Sequence, residues 1–170
     1  MFHKSEATLN THFRFMTGFS SVLIVLTLSS LSPAVLADRY RYPLGEISQA
    51  ELFERHDIFS RNFAEYETPP PLLGLPDDLE VTILFGTWCH DSEREVPKML
   101  KLLAASGVQQ KSISLIALDI RKEEPRGRAK ALGVTHTPTF VFFSDDVELG
   151  RIVERPAVSL EHAIQDMLSR

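Results

Sequence analysis

From Glu80 onward the chain alternates short β-branched apolar runs with helical patterns, and this alternation limits the folds open to it. Val81-Thr82-Ile83-Leu84-Phe85 reads as a buried strand, bounded by turn residues. The spacing predicts a helix from about Cys89 to Ala105, with Val96, Leu100 and Leu103 on one face. Ile113 to Ile120 reads as a second strand, and Arg126 to Leu132 as a short helix stopped by Gly133. Thr139 to Phe143 is a third strand, Asp145-Asp146 a turn, and Leu149 to Val153 a fourth strand. Ser159 opens a last helix, Leu160 to Leu168, with Glu161 and His162 expected to be exposed. Strands joined through helices pair in parallel, and the closing hairpin is antiparallel. The expected class is therefore α/β, a mixed central sheet flanked by helices.

Two stretches precede this unit. In residues 1–37, Lys4 and Arg14 stand ahead of an apolar run from Phe19 to Leu31, Pro33 breaks it, and Val35-Leu36-Ala37 offers a cleavage site. A membrane-spanning helix needs about 20 apolar residues, so this shorter run reads as a signal peptide cut after Ala37. An uncleaved anchor is the alternative; either way the folded part is expected outside the cytoplasm, periplasmic or secreted. After cleavage no stable membrane span is expected. Residues 38–77 read as an N-terminal helical extension and linker. Ser48 and Glu51 have capping-box spacing, and Leu52, Phe53, His56, Phe59, Phe63 and Tyr66 follow at helical steps, predicting one amphipathic helix of about four turns. Its apolar stripe reads as core packing or as a partner surface. Pro69 to Pro71 end the helix, and Pro76-Asp77-Asp78 marks a turn before the main domain, residues 78–170.

The net charge of −5 argues against nucleic acid as a partner, because phosphate binding wants a basic surface. The chain has one cysteine, which excludes an internal disulfide framework and a multi-cysteine zinc site. Cys89 falls in Phe85-Gly86-Thr87-Trp88-Cys89-His90-Asp91-Ser92, where the first strand of the unit meets its helix. Unpaired N–H groups at a helix start favour thiolate over thiol, and thiolate is the nucleophile of disulfide exchange. Gly86 permits a tight turn there, and Trp88 can shield one side of the sulfur.

Trp88-Cys89-His90-Asp91-Ser92 resembles the thioredoxin Trp-Cys-x-x-Cys site with serine in the last position. Pro97 stands eight residues after Cys89, where thioredoxins carry the proline of the active-site helix. Thr137-Pro138-Thr139 resembles the family's cis-proline loop. The resemblance covers about residues 78–170 with all elements in the family's order. It is nearest to exported bacterial thioredoxin-family proteins with a Cys-x-Asp-Ser-x-Arg-Glu-Val-Pro stretch, here Cys89 to Pro97. It implies a thioredoxin fold, with the proline loop against the sulfur and ready to receive an extended peptide. Three features depart from the family. Ser92 replaces the resolving cysteine, Ile83 replaces the buried acid, and Ala117 stands where a lysine would be.

The resemblance implies catalytic roles for Cys89 and Ser92 and substrate contacts for Trp88, His90, Thr137 and Pro138. The expected partners are protein or small-molecule thiols and disulfides, with no cofactor. Residue by residue, other readings stand beside these. Cys89 can be a small core residue. Ser92 can be a plain first-turn residue or a hydrogen-bond partner of the sulfur. His90 can be a solvated residue or an acid–base group. Asp91, Glu93 and Glu95 oppose thiolate formation, while Arg94, Lys98 and His90 counter them. The activity expected is monothiol thiol–disulfide exchange, of isomerase or mixed-disulfide reductase type. The alternatives are a non-catalytic binding or chaperone module that keeps the proline groove, and a metal carrier using Cys89, His90, Asp91 and His136.

Overall fold

A computed structural model describes residues 43–169. The predicted signal peptide and its cleavage site lie outside the described residues. The elements in chain order are β1 (Gly45–Glu46), α1 (Gln49–Arg55), α2 (Asp57–Glu65), β2 (Glu80–Phe85), α3 (His90–Ala105), β3 (Ile113–Ala117), α4 (Arg128–Ala131), β4 (Thr139–Ser144), β5 (Val147–Val153) and α5 (Leu160–Leu168). They build a five-stranded sheet in the order β1-β3-β2-β4-β5. β2 and β3 are parallel, with Val81 opposite Ile113 and Phe85 opposite Ala117. β4 runs antiparallel to both β2 and β5. A βαβ unit and a ββα unit thus share one mixed sheet through adjacent strands β2 and β4, which is the thioredoxin fold.

The strand periodicity of two sorts the core into two layers. Val81, Ile83 and Phe85 of β2, Leu115 and Ala117 of β3 and Phe140 and Phe142 of β4 pack in one cluster with α1, α2, α3 and α5. Leu84, Ile116 and Val141 turn to the other cluster, with Leu118, Ala129 and Val134. The α2 helix lies on the first layer: Phe59 is fully buried, its ring 5.8 Å from that of Phe85. Burying one such side chain contributes about 2 kcal/mol. Lys101 of α3 donates to Tyr66 O and, at 3.3 Å, to Ala64 O, meeting carbonyls that the end of α2 leaves unpaired. Leu72 N–H donates to Ser106 Oγ at 2.8 Å and ties the linker to the end of α3.

Several boundaries differ from the sequence expectation. The single amphipathic helix is two helices, broken at His56, whose φ of −133° and ψ of 84° are not helical. Ser48 does cap α1, accepting from Glu51 N–H at 3.1 Å. The Glu51 carboxylate pairs with Arg55 at 3.2 Å. The strand expected to reach Ile120 ends at Ala117, because Asp119 Oδ1 accepts the N–H groups of Arg121 and Glu123 and folds the chain into a turn. The helix expected from Arg126 starts at Arg128, after Gly127 in the left-handed region. The hairpin strand begins at Val147 rather than Leu149, directly after Asp145 and Asp146, both at positive φ. That pair fits the tight two-residue turns that match strand twist. Glu161, expected to be exposed, is partly covered, and Tyr66 Oη donates to its Oε1 at 3.4 Å. The two-residue edge strand β1, antiparallel to β3, had no counterpart in the sequence reading.

Candidate functional site

The site lies where β2 ends and α3 begins. Gly86 takes its place because the Trp88 ring lies across it. A Cβ at position 86 would stand 2.5 Å from Trp88 Cε2 and 2.7 Å from Nε1. Trp88 Nε1 donates to Leu118 O at 3.0 Å, and Lys122 Nζ sits 5.4 Å from the ring centre on the same loop system. The ring is therefore held by groups of the loop between β3 and α4. Cys89 is the N-cap residue of α3, with extended backbone and no side-chain cap bond. Its carbonyl accepts the first helical N–H, from Glu93 at 2.9 Å.

The Cys89 thiol is partly exposed and free. It donates to Thr137 O at 3.1 Å. The Thr137–Pro138 peptide bond is cis. On its far side Pro138 O accepts from Glu154 N–H at 2.7 Å, and Thr139 Oγ1 donates to His136 O at 2.8 Å. The fold thus brings Cys89, Thr137 and Pro138 together although they are almost fifty residues apart in the chain.

The other predicted site residues fall elsewhere. Ser92 is fully buried, and its Oγ accepts Gly86 N–H at 3.2 Å, so it pins the turn ahead of Cys89 while the sulfur's bond runs to Thr137. His90 points to solvent with its side chain 93% exposed, and its Nδ1 lies 2.9 Å from Glu93 Oε2. The acidic residues are answered one by one. Arg94 bonds Asp91 and, at 2.8 Å, the buried Glu95, and Lys98 stands 3.6 Å from the same carboxylate. Asp91 and Glu93 also occupy the first turn, where negative charge suits the helix dipole. Ile83 and Ala117 are fully buried and apolar, so β2 and β3 offer no ionisable group at those positions. Among the described residues no three of His, Cys, Asp and Glu are disposed to hold a metal ion, and His136 Nδ1 meets Thr135 Oγ1 at 2.9 Å. No described helix is long and apolar enough to cross a membrane.

One site residue escaped the sequence reading. Pro97 lies inside α3 and has no N–H, so the carbonyl four residues back, that of Glu93, loses its helical donor. Asn62 of α2 supplies one, Nδ2 to Glu93 O at 2.7 Å. The signal was present in part, because a proline inside a helix demands a substitute donor, but nothing in the sequence says which residue provides it.

Fold and site together define a thioredoxin-fold protein with a single cysteine capping the first helix of the βαβ unit. No family model matches the chain, and no curated protein matches it. Solved structures do resemble it. Mitochondrial thioredoxin 3 from Saccharomyces cerevisiae, in its oxidized form, is 20% identical over 69% of this chain and 88% of that one, with a TM-score of 0.39. The germline-specific thioredoxin Deadhead from Drosophila melanogaster is 17% identical over 72% of this chain and 92% of that one, with a TM-score of 0.40. Thioredoxin f2 from Chlamydomonas reinhardtii is 14% identical over 58% and 83%, with a TM-score of 0.40. At this level of likeness, strand order and connectivity carry the fold assignment.

Proposed function

We propose that this protein is a monothiol thiol–disulfide exchange protein acting on exported proteins through Cys89. In this reading residues 1–37 are a cleaved leader, 38–77 an added segment and 78–170 the thioredoxin-like domain. The observation that carries it is the meeting of a partly exposed cysteine at a helix start with the Thr137–Pro138 loop, 3.1 Å from sulfur to carbonyl. Cys89 as thiolate attacks one sulfur of a substrate disulfide. A Cys89–substrate disulfide forms, and the second substrate sulfur leaves as a thiolate. A substrate thiol or a small external thiol then attacks the mixed disulfide, regenerating Cys89 and making a new disulfide. No net redox change occurs when the second thiol belongs to the same substrate, which is isomerisation. Trp88, His90 and the Thr137–Pro138 loop are the proposed substrate contacts. Ser92 acts by holding the turn through Gly86.

A second reading is a binding module that has lost turnover. The apolar, buried Ile83 and Ala117 favour it, since neither can relay a proton. The experiment that separates them uses the mature protein and its Cys89→Ser and Ser92→Cys variants. Exchange predicts that Cys89 accumulates mixed disulfides with exported partners, that Cys89→Ser captures none, and that Ser92→Cys closes an internal disulfide and reduces a model disulfide. Position 92 lies one turn into α3 from its cap at Cys89, so a cysteine there is expected to come within disulfide reach of Cys89. Partner capture that persists in Cys89→Ser, with no mixed disulfide in the unsubstituted protein, would establish the binding module instead.

A further inference from the structure

We infer that Asn62, in the segment ahead of the thioredoxin-like domain, is a positioning residue for Cys89, completing the hydrogen bonding of α3 where Pro97 breaks it. The inference rests on the exchange reading of the site. Pro97 strands the carbonyl of Glu93, and Asn62 Nδ2 meets that oxygen at 2.7 Å from a different helix. Glu93 is also the residue whose N–H makes the first helical bond, to Cys89 O at 2.9 Å. One residue therefore carries the α3 start on its N–H side and the clamp from α2 on its C=O side. The neighbouring Ser92 is fixed by Gly86 N–H. The clamp is reciprocal, because Lys101 of α3 donates to the end carbonyls of α2, and Phe59 seats α2 against Phe85. Without Asn62 the Glu93 carbonyl loses this donor, and the first turn of α3 loses its hydrogen bond to α2.

The charged and titratable groups on the elements around Cys89 are His90, Asp91, Glu93, Arg94, Glu95, Lys98 and Lys101 of α3, Asp119, Arg121, Lys122 and Glu123 of the loop that holds Trp88, His136 before Thr137, and Glu154 against Pro138. Asn62→Ala changes none of them, so an altered thiol reactivity would trace to positioning. The test measures the rate at which iodoacetamide labels Cys89 in the folded full chain at pH 7. It compares the unsubstituted protein, Asn62→Ala, Pro97→Ala and the pair. Pro97→Ala gives Glu93 O its own helical N–H and removes the need for Asn62. Asn62→Ala is expected to slow labelling by about threefold to tenfold, the range that one missing hydrogen bond spans. Added to Pro97→Ala, it should change the rate by less than about twofold, because the carbonyl is then satisfied. An unaltered rate in Asn62→Ala, or an equal slowing in both backgrounds, overturns the inference. Should Asn62→Ala not fold alone, recovery of folding in the pair supports it, and an unfolded pair overturns it. Labelling needs no disulfide substrate. A protein inert toward disulfides therefore refutes exchange, while the four labelling rates still decide the role of Asn62.

Discussion

Gly86 and Trp88 show how tightly the approach to Cys89 is fixed at the level of single residues. The indole ring lies over the glycine so closely that any Cβ there would fall 2.5–2.8 Å from three ring atoms. The ring cannot tilt away without giving up its bond to Leu118 O. Gly86→Ala is therefore expected to displace the ring and destabilise the protein by about 1–3 kcal/mol, the usual cost of overpacking. Trp88 is the only tryptophan, so its emission reports the displacement directly. Unchanged emission together with an unchanged urea midpoint would show that the ring is not held as described. Ser92 illustrates the same point from the other side. The sequence left its hydroxyl open between a plain helix position and a partner of the sulfur, and the structure gives it to Gly86 N–H. A motif specifies which residue stands at a position, whereas its partner depends on the local path of the chain.

At the scale of elements, the break at His56 separates α1 from α2 and lets Leu52 and Phe59 both reach the core. Burial, and next the neighbouring Arg55, hold the His56 imidazole below its ordinary value, against an opposing pull from Asp57. The folded state thus prefers the neutral ring. The stability this contributes is present above the unfolded value near 6.5 and is lost as pH falls through the lower folded value. The melting temperature of the unsubstituted protein should fall more between pH 7.5 and pH 5 than that of His56→Gln. Parallel pH curves for the two would remove His56 from the account. The strands, the α3 start and α5 were legible in the sequence because they rest on local patterns: β-branched apolar runs in β2 and β4, a Ser159 cap before an amphipathic run. The His56 break was not legible, since the apolar spacing continues across it at three- and four-residue steps. The two residues of β1 carry no periodic signal, and their pairing to β3 is decided by tertiary contact. The Asn62–Glu93 bond belongs to the same category, as a proline announces an unpaired carbonyl without naming its donor.

Across the whole molecule, the corner opposite the hairpin depends on a charged network. Glu124 has a fully buried side chain beside the first turn of α4. Its carboxylate accepts Arg126 N–H at 2.9 Å and also Arg128 N–H, and it lies 3.7 Å from Arg128 Nη2. Arg128 in turn reaches Glu46 of the edge strand at 3.0 Å, so the network joins β1 to α4 across the end of the sheet. Arg128 Nε and Nη2 are buried without hydrogen-bond partners, which leaves the Glu124 charge as compensation for them. Burial pushes the Glu124 carboxyl up, but the backbone N–H groups of Arg126 and Arg128 and the Arg128 charge outweigh it and hold the group below its ordinary value. The stabilisation is complete above the unfolded value near 4.3 and disappears as pH drops through the lower folded value. Glu124→Gln keeps an acceptor oxygen for the backbone but removes the charge facing Arg128. It is expected to cost about 1–3 kcal/mol in urea unfolding at pH 7, the range for stranding a buried polar group. The gap between the two proteins should narrow as pH falls through the folded value of Glu124, where its side chain becomes neutral like that of the variant. A gap that does not narrow as pH falls toward the acid unfolding limit, or none at pH 7, would show that the corner is held by apolar packing around Ala129 and Val134 and not by charge.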